Sequence, residues 1–516
     1  MKKLTLVTII LALGLTSCSE WVKEIQPEPG STGPQSQAIP DITNNPTPGK
    51  PGPYDVCFRN YDIDSDLQAR GVIYVPVTDD RSCKVIRDFP LVLIAHADGA
   101  DYGDYHDLAM HLASNALVVV SFDRTGITAD GPFDQLLEDH LDYLYGTSQV
   151  ATVITNQIGL IGHSAGGRAV IEHAGVINDY GKQLKALIVL APTVGDTNVD
   201  FLLAQECEAF LGLHPANDSD VTAFGNKKAG EPMESTFKYY DDAGIIKGNP
   251  NNLSLTKDMI FATSAVPDYH YFQNKDFSLA FINAFLQVHL NGHSIFNRFL
   301  KNQEKPPSLT TTVHQQHADP ERLVVADFES NNKNINTLGE TIEFSGTGIT
   351  QTQAGWAHLL DEFSPHHTKV LRFEWNKTTQ VLGKKQSGAI SFALPDVDIS
   401  NYRYVSFRIT QVYHHQNNPN GTDRDLTVKI GSPKVKLGSG VNVSNYGGKL
   451  HFPIKMVAPI GALQEEQTKN AMRSYLIPLN VFDNVDLNKV NQVVLDFSDS
   501  GASTTTFILD DLEFYK

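Results

Sequence analysis

Seven short runs in the first part of the chain are apolar at nearly every position: Gly71-Val-Ile-Tyr-Val-Pro76, Pro90-Leu-Val-Leu-Ile-Ala95, Ala116-Leu-Val-Val-Val-Ser-Phe122, Gln157-Ile-Gly-Leu-Ile-Gly162, Lys185-Ala-Leu-Ile-Val-Leu-Ala191, Ala209-Phe-Leu-Gly-Leu213 and Asp258-Met-Ile-Phe-Ala262. A strand with one wet face alternates apolar and polar side chains, so an unbroken apolar run has to be covered on both faces. Helical patterns occupy several of the gaps, over 104–115, 134–145, 165–178 and 277–300. Strands alternating with helices predict an α/β fold over residues 55–300, built on a doubly wound, mostly parallel sheet.

The pattern changes after residue 300. Residues 301–320 (KNQEKPPSLTTTVHQQHADP) are polar and contain proline, which predicts a linker. From 321 to 516 short strands with period-two alternation follow one another, such as Tyr404-Val-Ser-Phe-Arg-Ile-Thr410 and Val493-Val-Leu-Asp-Phe497, without a convincing helix. That predicts a separate all-β sandwich. With 516 residues, 41% of them apolar by type, the chain can give each of two domains its own core. Lys and Arg total 41 against 59 Asp and Glu, and the resulting net charge of −18 argues against nucleic acid as a partner.

Residues 2–18 (KKLTLVTIILALGLTSC) place two lysines before an apolar run too short to span a membrane, the order of a secretory signal. Leu15-Thr16-Ser17-Cys18 resembles a bacterial lipobox. The resemblance implies removal of residues 1–17 and lipid on Cys18, anchoring the protein to a membrane of the bacterial cell envelope, at the outer membrane or cell surface. Residues 18–54 are rich in Pro, Gly, Ser, Gln and Asn and predict a disordered tether. Of the remaining cysteines, Cys57, Cys83 and Cys207, the first two flank one expected strand; they either pair or remain buried thiols.

Gly162-His163-Ser164-Ala165-Gly166-Gly167 joins an apolar run to a helical pattern. At such a junction glycines permit a sharp, strained turn that lifts a serine hydroxyl clear of the sheet, above a helix N-terminus. With this turn in place, residues 55–300 resemble the α/β-hydrolase superfamily, and within it esterases of the chlorophyllase, platelet-activating-factor acetylhydrolase and bacterial polyester hydrolase group. Leu93-Ile-Ala-His-Ala-Asp-Gly99 and Leu112-Ala-Ser-Asn-Ala-Leu-Val-Val-Val120 are similar to stretches of that family, with Ala97 where the family usually has glycine. The resemblance implies Ser164 as nucleophile, an acid and a histidine following it in chain order, and no cofactor or metal. In His214-Pro-Ala-Asn-Asp-Ser-Asp-Val221 the acid is Asp218, ahead of Asp220 and the more distant Asp196 and Asp200; the histidine is His270, between the last parallel strand and the final helix. His173, His289 and His293 are read as packing or solvent residues, and the side chain of His163, inside the turn, is expected to point away from Ser164. The oxyanion donors are the backbone N–H groups of Ala165 and Asp98.

The second domain looks like the galactose-binding-type jelly roll of carbohydrate-binding modules, on Asp327-Phe-Glu329, Ser400-Asn-Tyr-Arg-Tyr-Val-Ser-Phe-Arg408 and Phe507-Ile-Leu-Asp-Asp-Leu-Glu-Phe514. Trp356, Trp375, Tyr413 and Tyr446 are aromatic side chains able to stack on a sugar, Asp327, Glu329 and Asp510 carry hard oxygens of the kind calcium takes, and His366-His367 and His414-His415 are weak metal candidates. The expected activity is carboxylic ester hydrolysis, directed at esters attached to polysaccharide. A lipase or polyester hydrolase is the rival, and a non-catalytic glycan-binding or adhesion lipoprotein is the alternative of another class.

Overall fold

The computed structural model describes residues 42–44, 46–78, 83, 85, 88–193, 206–215, 218, 236–245, 253–263, 272–330, 332–345, 350–354, 366, 368–376, 388–412, 417–418, 421–450, 454–455, 468–498 and 504–516. All seven apolar runs are strands, the second to eighth of a nine-stranded sheet that also holds β1 (Asp55–Asp62). They are β2 (Arg70–Val77), β3 (Phe89–Ala95), β4 (Val118–Phe122), β5 (Ile154–His163), β6 (Gln183–Leu190), β7 (Ala209–Pro215) and β8 (Thr256–Thr263). With β9 (Thr312–Ala318) the order is β1-β2-β4-β3-β5-β6-β7-β8-β9. Neighbours from β4 to β8 are parallel; β2 on β4 and β9 on β8 are antiparallel, so the sheet is mixed.

The apolar runs fill both faces, because successive side chains point to opposite sides. Leu91, Leu93 and Ala95 of β3 join one core, with α2 (Phe133–Asp142), α3 (Ala165–Glu172), α4 (Gly175–Asp179) and α5 (Thr236–Asp242). Val92 and Ile94 join the other, with α1 (His106–Ser114), α6 (Asp276–His289) and α7 (Asn297–Leu300). Two of the expected helices are broken. The 165–178 stretch divides at His173 and Ala174, and the 277–300 stretch ends its long helix before Gly292, whose φ of +70° suits glycine after a helix end.

Two larger sheets, antiparallel throughout, lie beyond β9 among the described residues, beside a two-stranded antiparallel pair of β18 (Ile454–Lys455) and β19 (Thr468–Lys469). One has the order β12-β13-β22-β15-β20 with β10 on β22, the strands being β10 (Arg322–Ala326), β12 (Thr350–Ala354), β13 (Val370–Asn376), β15 (Tyr404–Gln411), β20 (Arg473–Pro478) and β22 (Thr504–Tyr515). The other runs β11-β14-β21-β16-β17, from β11 (Ile342–Ser345), β14 (Ala389–Val397), β16 (Thr427–Gly431), β17 (Val441–Asn442) and β21 (Val490–Asp496). Both sheets contribute to one apolar core, with Phe373, Phe407 and Phe507 from the first and Ile390, Ile430 and Leu495 from the second.

Three expectations are corrected here. Residues 301–320 are not a plain linker: 312–318 form β9, the antiparallel edge of the nine-stranded sheet. Its polar composition is explained by where its side chains go. Gln315 Nε2 donates to Phe299 O at 2.7 Å, His317 Nδ1 lies 2.8 Å from Asp258 Oδ1, and the His317 N–H donates to Ser474 Oγ at 3.1 Å. These buried groups bond to α7, β8 and β20 rather than facing water. The end of the supposed tether is likewise fixed: Pro48 O accepts from Asn283 Nδ2 at 2.9 Å and lies 2.8 Å from His111 Nε2, and Gly52 N–H donates to Ser114 Oγ at 2.8 Å. Pro and Gly there fit a tight path across α1 and α6. Nor is the sandwich separate, since residues 40–516 form one compact unit. Cys57 and Cys83 form a disulfide, while burial pushes the Cys207 thiol up to about 12.

Candidate active site

Ser164 sits between β5 and α3 with φ 53° and ψ −122°, a conformation that residues other than glycine seldom adopt. Such strain costs on the order of 1–3 kcal/mol and persists only where the surroundings fix it. Here they do: the Ser164 N–H donates to Leu190 O at 2.9 Å, and the Arg168 and Thr193 N–H groups both donate to Ser164 O at 3.1 Å. The glycines on either side serve close approach. A Cβ on Gly162 would stand 2.4 Å from Gly166 O, and one on Gly166 would stand 2.5 Å from His96 O. The turn is therefore pressed against the loop that follows β3, and Ser164, 4% exposed, lies in the angle between them.

That loop carries Asp98, one of the two expected oxyanion donors. Ala97 is buried and does not have a positive φ, so its methyl group costs no left-handed strain; the turn is taken at Gly99, with φ +76°. The Ala97 N–H donates to Tyr105 Oη at 2.9 Å, which leaves the Asp98 N–H as the next donor along the loop. Tyr105 Oη is also 2.7 Å from Nδ1 of His163, the residue before Ser164. His163 is thus buried and tied to the loop.

Arg124, just past β4, completes the surroundings. Its side chain is only 1% exposed. Nε donates to His96 O and Nη1 to Ile127 O, both at 2.8 Å, while Nη2 is paired with the Asp98 carboxylate. Burial draws the guanidinium below its ordinary range, and Asp98 opposes that shift. The neighbouring Asp123 is pushed up by burial, yet bonds from Thr125 and the Arg70 guanidinium bring it down to about 2. A pocket of about 510 Å³ lies between the two loops, lined by His96, Asp98, Gly99, Thr125 and Ile127 among others.

Asp218 follows β7, is 1% exposed, and donates its N–H to Pro215 O at 3.3 Å. Ser164 after β5 and Asp218 after β7 share the C-terminal edge of the parallel strands, where ligands bind in open α/β sheets. His270 lies outside the described residues, as do Asp196, Asp200, Asp220 and Cys18. The described residues around His270 are Thr263, which ends β8 on the same edge, and Phe272, whose ring meets that of His163 edge-on at 5.4 Å. Ala165 opens α3, so its N–H belongs to the helix N-terminus beside Ser164.

In the sandwich, Trp375 is completely buried in the core and offers no stacking face; Tyr446 is half-buried, and Trp356 and Tyr413 lie outside the described residues. Among the described residues no cluster of His, Cys, Asp or Glu is arranged to hold a metal ion. Thr368 Oγ1 instead lies 2.8 Å from Glu329 Oε1 and 3.0 Å from Asp510 Oδ2, and Asp327 Oδ1 accepts from the Glu329 N–H at 3.2 Å. His366 has both ring nitrogens engaged: Nε2 accepts from the Met472 N–H at 2.9 Å, so Nδ1 carries the proton toward Asp241 at 3.2 Å. His367, His414 and His415 lie outside the described residues.

The roles of Tyr105 and Arg124 were missed by the sequence reading. The one signal for the second was a charged pair, Asp123-Arg124, directly after an apolar strand at the edge where Ser164 sits. Compared with protein-family models and with curated proteins, the chain matches none.

Proposed function

We propose that the protein is a serine carboxylic ester hydrolase with Ser164 as nucleophile, His270 as base and Asp218 as the acid that orients it. The observation that carries this reading is the strained backbone of Ser164 at a strand-to-helix turn pressed against a second loop. Strain of this kind aims a hydroxyl where relaxed backbone would not. In the reaction His270 takes the Ser164 proton, the oxygen attacks the ester carbonyl, and the tetrahedral oxyanion is met by the Ala165 and Asp98 N–H groups. The alcohol leaves with a proton from His270, and water hydrolyses the acyl-enzyme by the reverse sequence. No metal or organic cofactor enters this scheme.

The reading includes an α/β-hydrolase fold for the first part and a jelly roll for the second, on a chain held to the bacterial cell envelope by lipid on Cys18. Its substrates are esters carried on polysaccharide. A groove of about 520 Å³ on the sandwich supports that choice, since its lining of Thr341, Glu343, Ser391, Lys436, Asn491 and Gln492 offers donors and acceptors suited to sugar hydroxyls.

The test is hydrolysis of p-nitrophenyl acetate by the full chain beside the Ser164→Ala variant. Activity present in the first and absent in the second is expected; equal activity in both ends the assignment. A screen of acetylated and feruloylated polysaccharides, triglycerides and polyesters then identifies the ester, with preference for either of the last two replacing the polysaccharide reading.

A further inference from the structure

An oxyanion hole assembled from two separate elements is only as good as the fixing of the less rigid one. Ala165 is fixed by the turn and helix it belongs to. Asp98 is in a loop whose own backbone supplies little, an Ala100 N–H to Ala97 O bond of 3.2 Å. What holds that loop comes from other elements.

Arg124 reaches it at three points. Its Nε takes His96 O, its Nη2 takes the Asp98 carboxylate, and its backbone N–H donates to His96 Nε2 at 2.9 Å. An amide N–H can only donate, so Nε2 is the acceptor and Nδ1 carries the proton, which it gives to Ala97 O at 2.8 Å. Asp123 Oδ1 lies farther from the same Nε2, at 3.3 Å. Arg124 Nη1 meanwhile holds Ile127 O on the opposite wall of the pocket. One planar fork therefore sets the spacing of two loops, a task for which a lysine has neither the geometry nor enough fixed donors.

Building on the hydrolase reading above, we propose that Arg124 is a positioning residue of the ester-cleaving site: it holds the loop 96–98 so that the Asp98 N–H faces the oxyanion. It does not touch substrate. Its effect belongs to the transition state, where the donor is used, and so to kcat rather than KM.

The experiment uses the full chain as wild type, Arg124→Gln, Arg124→Lys and Asp98→Asn. Each is measured for cooperative unfolding, for fluorophosphonate labelling of Ser164 at completion, and for kcat and KM on p-nitrophenyl acetate. Arg124→Gln is expected to fold, to label to one group per chain, and to lose about 100-fold or more in kcat with KM within about threefold, the scale of one lost oxyanion donor. Arg124→Lys should recover only part of this, and Asp98→Asn should lose less because an acceptor remains. A folded, fully labelled Arg124→Gln with unchanged kcat, or a loss confined to KM, overturns the proposal. Should Arg124→Gln fail to fold, Asp98→Asn decides, and an unchanged kcat there overturns it as well. A wild type that neither labels nor cleaves the ester is a different result, because it removes the hydrolase reading itself.

Discussion

Arg408 of the sandwich and Asp241 at the end of α5 are joined by a 2.6 Å ion pair, Nη1 to Oδ1, buried between the two parts of the protein. Arg408 also meets Asp510 at 2.6 Å and Asp511 at 2.7 Å, and Asp241 takes the His366 Nδ1–H. Burial raises the carboxyl of Asp241, but Arg408 and His366 outweigh it and hold the group far below the usual carboxylate range. Breaking one member of such a set leaves a buried charge without compensation and costs about 3–5 kcal/mol. Urea unfolding of Asp241→Asn should show a loss of that size; a change below about 1 kcal/mol would show that the seam is not under this constraint.

Acid should weaken the fold through its buried histidines. Burial draws His289 down to about 4, so between the unfolded value near 6.5 and pH 4 the unfolded chain binds a proton that the folded one refuses. Stability from this residue is complete above pH 6.5 and is lost as the pH falls to 4, by about 3 kcal/mol at about 1.4 kcal/mol per unit. The buried Glu513 carboxyl, pushed up to about 7, acts in the opposite direction over much of the same range. The difference between wild type and His289→Leu in urea unfolding at pH 7 and pH 4.5 isolates the histidine: the variant should lose less on acidification, and equal losses would contradict the argument.

Gly166 and Ala97 make contrasting expectations. A methyl group on Gly166 would press into His96 O and Ala95 O, so Gly166→Ala should cost about 1–3 kcal/mol and reduce the ester hydrolysis proposed for Ser164. Ala97→Gly meets no strain to relieve, and should leave kcat unimproved while lowering stability by about 0.5–1 kcal/mol. Thermal unfolding and the kcat of the proposed ester hydrolysis check both variants; a faster Ala97→Gly variant would show that the methyl group impedes the loop.

The disulfide ties β1 to the segment before β3 across a sequence separation of 26. By loop-closure entropy the Cys57→Ser, Cys83→Ser double variant should be less stable by about 3 kcal/mol. Equal urea midpoints for the double variant and the oxidised wild type would rule this out.

The parallel strands and the strained serine were legible because both depend on local pattern: unbroken apolar runs, and glycines spaced around Ser164. What escaped the sequence depends on partners far along the chain. β9 has linker composition because His317 and Gln315 find Asp258 and Phe299, and residues 46–54 have tether composition because their carbonyls and N–H groups are taken by α1 and α6. Arg124 looked like any polar residue after a strand until the loop carrying His96 and Asp98 was folded over it. Of the residues expected to act together, Ser164 and Asp218 lie on one edge of the parallel strands, while His270 lies outside the described residues.

Because β9 finishes one sheet immediately before β10 begins the other, there is no slack at which the two halves could be exchanged like beads on a string. Anyone grafting the sandwich onto a different protein, or cutting it away at residue 320, would inherit an edge of polar side chains made for a surface no longer present. A pull on the sandwich would reach the nine-stranded sheet directly through β9, and α5, the helix that follows the candidate acid in the chain, through the Arg408–Asp241 pair.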